Sequence, residues 1–439
     1  MGGNERKAGW HLHQHFGKKI PIESVANVDI LSSLEFNEDG RYLAVGDNGG
    51  RVILFQQEEA HTTPQQEMVF DMESESESES YKFFSEFQSH EREFDYLNST
   101  EIQERINCIQ WLPSNPDSLF LLSANDKTIK LWKVSEKCVG PVPCPILDRK
   151  NGSGRSPAPP DPPTYSIVPQ NKRVYSHAHS FNINTLSALS DGETFLSADD
   201  FRINLWNLEV SNQSFNIVDI KPSSMDNITE VIMSMRCHPT QCNLFVYANS
   251  RGQTTLSDLR VSAKSSPCRI FEDHATYIDP DLLDYVSPIS SIRFTPGGRY
   301  FLTRDFLSVR VWDMYMEKEP VQVLPVHDCL LPQLPYHMDS DFHLDRFDVA
   351  VSPDGRSVLT GSYQNVFHIM DRVTREDVAL EASRKSKLRP LQHPGGRLPP
   401  LSFENPDFGR KVTQVAWHPQ QDLIALTALN VMYVFSSNQ

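Results

Sequence analysis

The side chains best equipped for chemistry crowd into one stretch. His177, His179, Ser197, Asp199 and Asp200 precede an alternating segment, residues 201–206, that ends on Trp206. A hydroxyl, imidazoles and carboxylates are the parts of a nucleophilic triad. No GxSxG elbow or other nucleophile turn accompanies them, so catalysis is not the expected use. HLHQH, residues 11–15, sets imidazoles at i, i+2 and i+4. A strand would carry all three on one side, yet no thiolate or carboxylate joins them to close a metal shell, and the stretch reads as part of a mobile polar tail. The chain has no GxxxxGK[ST] loop and no GxGxxG after a strand, so neither nucleotide, metal nor other cofactor is expected. The Gly-Gly pairs at 49–50, 297–298 and 395–396 read as turns needing positive φ. What remains unexplained is the pair Asp199-Asp200. One aspartate before a strand is turn chemistry, whereas a second adds like-charge repulsion and is either solvated or visited by something positive.

The composition narrows the partners. The 439 residues carry 57 Asp+Glu against 41 Lys+Arg, a formal net charge of −16. Such a surface disfavours nucleic acid and anionic membranes and favours basic protein segments. Seven cysteines, an odd number without a CxxC pair, argue against a disulfide framework or structural zinc and for a reducing compartment, cytoplasm or nucleus. No apolar run reaches the length of a membrane span, and the N-terminal stretch lacks a signal-peptide core, so a soluble protein is expected.

The elements that must position these residues repeat. INCIQWLPSNPDSLFLLSANDKTIKLW (106–132) and ISSIRFTPGGRYFLTRDFLSVRVW (289–312) share one grammar of alternating strand, turn, apolar strand, turn and a strand closing on Trp. The same grammar recurs at 28–55, 183–206, 231–259, 347–371 and 412–435, which makes seven units. Short strands of period two with no long helical pattern between them predict an all-β, seven-bladed β-propeller over 21–439, after a flexible tail at 1–20. The LW and VW endings resemble a degenerate WD-repeat signature, whose histidine in the loop before a blade fits His179. Counted back from the closing Trp, Asp200 and Asp126 fall at the same position, so register reads Asp200 as the turn aspartate and Asp199 as the surplus charge. Three insertions interrupt the repeat: acidic 56–86, Pro/Gly-rich 135–172 and basic, Pro-rich 384–400. Ser74 and Ser76, in the acidic run, each have Glu three residues on, as acidophilic kinases require.

Six stretches are more specific. FQSHEREFDYLNSTEIQERIN (87–107), NDKTIKLWK (125–133), SADDFRINLWNLEVSNQSFNIVDIKP (197–222), GRYFLTRDFLSVRVWDM (298–314), LEAS (380–383) and AWHP (416–419) closely resemble the B-type regulatory subunits of protein phosphatase 2A. The resemblance runs from about residue 25 to 435. It implies a non-catalytic protein that docks on the helical-repeat scaffold subunit, bringing phosphorylated substrates with basic segments to the catalytic subunit. It also implies that a hairpin projecting in blade two grips the scaffold, through Glu91, Glu93, Phe94, Asp95, Tyr96, Leu97, Glu101 and Ile102. The residues agree, since Phe94, Tyr96 and Leu97 are too apolar for a free loop and suit an interface anchor flanked by charge. The family's substrate groove implies an acidic contact at Asp200 and a hydrophobic one at Ile228, with Asp199 and Asp226 deepening the negative potential and His179, Phe181, Asn182 and Asn48 alongside. This chain departs from the pattern in having Phe181-Asn182 for a Tyr-His pair, Asn48 for Lys or Arg, Arg92 for Pro, and Asn98 and Thr100 for Lys and Leu. Two other functions compete: a WD-repeat scaffold independent of the phosphatase, and a propeller enzyme.

Overall fold

The computed structural model describes residues 9–18, 20–58, 80–96, 99–113, 118–138, 165–261, 268–273, 280–332, 334–336, 345–383 and 408–438. Ser74, Ser76, the basic segment 384–400, Asn98 and Leu97 lie outside them, as does the Gly-Gly pair at 395–396. The strands form seven four-stranded antiparallel sheets and one two-stranded ribbon. The first six sheets run 31–88, 108–175, 185–219, 232–271, 291–325 and 349–381 in chain order, each strand beside its predecessor, and the seventh joins 412–438 to residues 9–16. The inner strands touch their neighbours in a closed ring, with the first sheet against both the second and the seventh. That ring is a seven-bladed propeller.

The alternation in each strand explains the radial stacking, because a blade with apolar residues on both faces must cover both. A separate buried cluster therefore fills every gap. Leu43, Phe55 and Tyr81 of blade one pack against Leu423 and Val434 of blade seven, Trp111 and Trp132 of blade two pack against Val52 and Leu54 of blade one, and Trp206 of blade three packs against Leu122 and Ile129 of blade two. An eighth cluster joins Leu282 and Val286 of the seven-residue helix Pro280–Val286 to Phe306, Phe347 and Tyr363 above blades five and six. Two glycines show how tightly the blades approach. Gly40 and Gly298 take φ of +79° and +71°, and a Cβ on them would stand 2.0 Å and 2.5 Å from the His418 and His238 rings of the preceding blades. Gly50 and Gly298, the second members of their pairs, have the positive φ expected of turns; Gly49 and Gly297 do not.

The N-terminal stretch is not a mobile tail over its whole length. Gly9–Phe16 is the outer strand of blade seven, antiparallel to Val431–Asn438. A register shift between Leu12 and Gln14 turns Trp10 and Leu12 toward the core shared with blade six and Phe16 toward the core shared with blade one. His11 and His15 are spent on this strand, one against Ser436 Oγ at 3.0 Å and the other stacked on Tyr433. The insertions are also shorter than the composition suggests, because Arg51–Gln57, Tyr81–Gln88, Ile129–Cys138 and Tyr165–Tyr175 carry the third and outer strands of blades one and two into them. Low-complexity composition hid strand residues whose pairing is set by their neighbours in the sheet. Among the described residues no helix is long and apolar enough to cross a membrane, Cys108, Cys237, Cys242, Cys268 and Cys329 are free thiols, and no group of three or more metal-ligating side chains converges.

Candidate protein-interaction face

The suspected triad exists, and it is sealed. Trp206 Nε1 donates to Ser197 Oγ at 2.8 Å, Ser197 meets His179 Nε2 at 2.6 Å, and His179 Nδ1 meets the Asp199 carboxylate at 2.8 Å. Because the indole nitrogen can only donate and the carboxylate can only accept, the protons run in one direction along this chain, which leaves imidazole Nδ1 protonated. Ser197 and Asp199 are fully buried, and Trp206 and His179 nearly so. No substrate reaches the hydroxyl, and the four groups tie the loop before blade three to its second and third strands. The other Asp199 oxygen accepts from the backbone N–H of Phe201 at 2.8 Å and Arg202 at 2.7 Å. Burial pushes this carboxyl upward, but hydrogen bonds from His179 and the two backbone amides outweigh it and hold Asp199 below the ordinary aspartate value.

Asp199 is thus the turn aspartate and Asp200 the surplus one, the reverse of the assignment by register. Blade two shows where counting misleads. There Asn125 does the work of Asp199, accepting from Lys127 N at 3.0 Å and Thr128 N at 2.8 Å, while Asp126 is the outward neighbour. Counting from the tryptophan matched Asp126 with Asp200 correctly, but mistook that pair for the turn residues. Trp132 Nε1 in turn donates to Ser89 Oγ at 3.0 Å, and Trp312 Nε1 in blade five to Thr303 Oγ1 at 3.1 Å.

With strands antiparallel, the turn between second and third strands and the connection to the next blade leave at the same end, so Asn48, Asp200, Asp226, Ile228, Phe181, Asn182 and the ribbon all open on one face. Asp200 is half-buried, and its carboxylate accepts from Asn184 Nδ2 at 2.8 Å. Asn184 Nδ2 also reaches the Ile232 carbonyl at 3.0 Å, and its Oδ1 accepts from Arg346 at 3.2 Å. Asn107 holds Asp126 and the Ile183 carbonyl in the same way, at 2.8 and 3.0 Å. Burial raises the Asp200 carboxyl, as does the charge of Asp199, against the lowering effects of Asn184, Arg346 and Lys127. Ile228 is 43% exposed beyond the turn Met225–Asn227, where Ser224 accepts from Asp226 N and Asp226 faces solvent. Phe181 lies edge-on to Phe201 with Lys221 over its ring, and Asn182 is exposed. Asn48 belongs to blade one, where it donates to Asn27 Oδ1 at 3.2 Å, and no hydrogen bond among the described residues joins it to Asp200.

The ribbon pairs Glu93–Asp95 with Thr100–Ile102 and lies in the connection from the outer strand of blade one to the inner strand of blade two, rather than within blade two itself. Strands this short are not stable alone, and the base supplies anchors: Arg92 donates to Glu104 at 3.2 Å and Asn125 to the Gln103 carbonyl at 3.1 Å. At the far end Phe94 and Tyr96 meet edge to face at 5.1 Å with 47% and 86% of their surfaces exposed. Glu91, Glu93 and Glu101 are exposed around them, and Asp95 and Ile102 are half-buried. The ribbon does not fold its aromatics back onto a blade.

Residues 98–133 and 170–207 match the family described as WD domain, G-beta repeat. The two stretches end on Lys133 and Asn207, one residue past Trp132 and Trp206 of the buried chains described above. The chain is a seven-bladed β-propeller that carries WD repeats in blades two and three. WD-repeat propellers take protein partners, and the ring that carries the face just described also holds side chains the repeat pattern did not single out. Arg346, Asn184 and Asn107 had no sequence signal beyond their polarity in loops. Glu35, Gln110, Arg236 and Arg293 did have one, since each stands one residue before the end of an otherwise mostly apolar inner strand. They line the axis, where Gln110 bridges Glu35 at 3.2 Å and Arg236 at 3.3 Å, and Arg293 pairs with Asp348 at 3.3 Å. Burial raises the Glu35 carboxyl, and Arg236 and Arg293 oppose it.

Proposed function

We propose that this WD-repeat propeller is a non-catalytic regulatory subunit of protein phosphatase 2A, which binds the scaffold subunit through the ribbon at 93–102 and recruits substrates over the face carrying Asp200. The observation that carries this reading is the aromatic pair Phe94 and Tyr96, held out at the end of an anchored ribbon. Two adjacent, solvated aromatic rings flanked by carboxylates are the composition of an interface anchor rather than of a free surface. The second support is position. Asp200, Ile228 and Asp226 open on the ribbon's own face, so a partner gripped by the ribbon and a segment lying near Asp200 can be engaged together. The acidic balance of the chain favours cationic segments at such a groove and speeds their encounter.

The sealed Ser197–His179–Asp199 chain is out of reach of a substrate, in keeping with a partner protein doing the catalysis. Arg92, at a position where the resemblance has proline, takes a structural part at the ribbon base through Glu104. Co-purification tests the proposal: the tagged full chain should bring down scaffold and catalytic subunits together, and recovery of the chain without either sinks it.

A further inference from the structure

The groove carboxylate is already attended by a cation of this chain. Arg346 comes from the loop before blade six, yet it reaches Asn184 at the head of blade three, and the same carboxamide donates to Asp200 at 2.8 Å. Its backbone is held on both sides. Asp345 pairs with Lys411 and accepts from Tyr363 Oη at 3.1 Å, while Phe347 is buried and its carbonyl accepts from Ser290 Oγ at 2.7 Å. Arg346 is exposed as a residue at the end of this pinned segment, while its charged end is largely desolvated and lines a small pocket with Met233, Tyr285, Phe306 and Phe347. Asp200 and Arg346 sense each other electrostatically, and Arg105 crowds Arg346 with a second positive charge.

We propose that Arg346 is an internal competitor for the Asp200 carboxylate: through Asn184 it holds a guanidinium where a cationic side chain of a recruited protein must sit, so that recruitment proceeds by exchange of one cation for another. This rests on the reading of Asp200 as a contact for basic segments. The competitor sets a threshold. A lone lysine on a passing protein meets a carboxylate whose field Arg346 already opposes, whereas a segment with several cations, or a guanidinium able to use Asn184 Oδ1 and Asp200 together, displaces Arg346. The tether makes the competition persistent, since an intramolecular cation faces Asp200 at high effective concentration however dilute the partner. Displaced, the side chain still has open solvent to occupy.

The test measures binding of an arginine-rich synthetic peptide, and of its glutamate-substituted counterpart, to the full chain at fixed salt. Arg346→Gln should tighten the arginine peptide roughly three- to tenfold, the scale of one like charge removed a few ångströms away when water screens the pair fully. Arg346→Lys, which keeps the charge and loses the fork, should fall between. Lys172→Gln, an equal charge change at a remote exposed site, controls for the overall field. Failure of Arg346→Gln to tighten, or equal tightening by Lys172→Gln, overturns the competitor while leaving Asp200 as the contact. Asp200→Asn separates the two ideas. If it fails to weaken the arginine peptide, the Asp200 contact is wrong and the competitor falls with it. If it weakens binding while Arg346→Gln leaves it unchanged, only the competitor is wrong.

Discussion

His179 donates Nδ1–H to Asp199 across 2.8 Å inside blade three, with both side chains out of contact with water. The pair fixes a turn and a loop at once, and it makes a stability prediction with a definite sign. Asp199 has a folded-state pKa below its unfolded value, so its contribution is fully present above the ordinary aspartate range and is lost as pH falls through the depressed value. Asp199→Asn keeps an oxygen for the backbone amides but not the charge for His179. It should lower stability at neutral pH by about 1–3 kcal/mol, read as a lower thermal midpoint, and the gap from wild type should shrink on acidification. Asp200→Asn should be nearly neutral or slightly stabilising at neutral pH, because burial and Asp199 raise its carboxyl pKa in the folded state. Equal losses for the two variants contradict the division of roles.

The reversal of Asp199 and Asp200 shows what kind of information a repeat carries. Seven blades were legible because every blade must bury two faces, and burial writes a period-two pattern that survives degeneration of the tryptophan and of the histidine. Which of two adjacent carboxylates points inward is decided by a single buried imidazole, and a one-residue ambiguity in register is enough to exchange them. The closing strand Gly9–Phe16 was hidden for a related reason, since its partner Val431–Asn438 lies at the other end of the chain and its apolar Trp10, Leu12 and Phe16 are interleaved with histidines that read as a polar tail. Arg346 and Asn184 meet across 162 positions of sequence, so no local pattern could have paired them.

The ribbon separates binding from folding. Phe94 and Tyr96 meet each other and are largely solvated, so Phe94→Ala with Tyr96→Ala should leave the thermal midpoint within about 1 °C, in keeping with surface substitutions of a few tenths of a kcal/mol. The same double variant should lose the scaffold subunit in pull-down. Retention of the scaffold by a folded double variant shows that the aromatic pair is not the anchor.

The groove makes the complementary prediction. Asp200→Lys and Ile228→Asp change half-buried or exposed side chains on the proposed recruiting face while leaving the ribbon untouched. Substrate proteins captured by wild type should fall by at least tenfold in recovery, with scaffold binding unchanged. Among substrates, those with basic segments should lose most from Asp200→Lys, because the substitution replaces attraction by repulsion at the contact. Simultaneous loss of scaffold and substrate instead indicates that the turn, and not the groove, was damaged.

The strand at residues 9–16 completes blade seven from the other end of the chain, and its energetic weight is testable at one contact. Trp10 packs edge to face on Trp417 at 5.4 Å, on the side of the bulge that faces blade six. Trp10→Ala removes that contact and part of the cover over the core between blades six and seven, and should destabilise the chain by about 2–3 kcal/mol, below the usual loss for a buried aromatic because Trp10 is only half-buried. Hydrogen exchange locates the effect. If the strand is the clasp of the ring, the amides of Val431–Asn438, its direct pairing partner, lose protection before those of blades two to four. Uniform loss of protection across all blades means instead that the ring opens only when everything unfolds, and that the N-terminal strand adds stability without acting as the point of release.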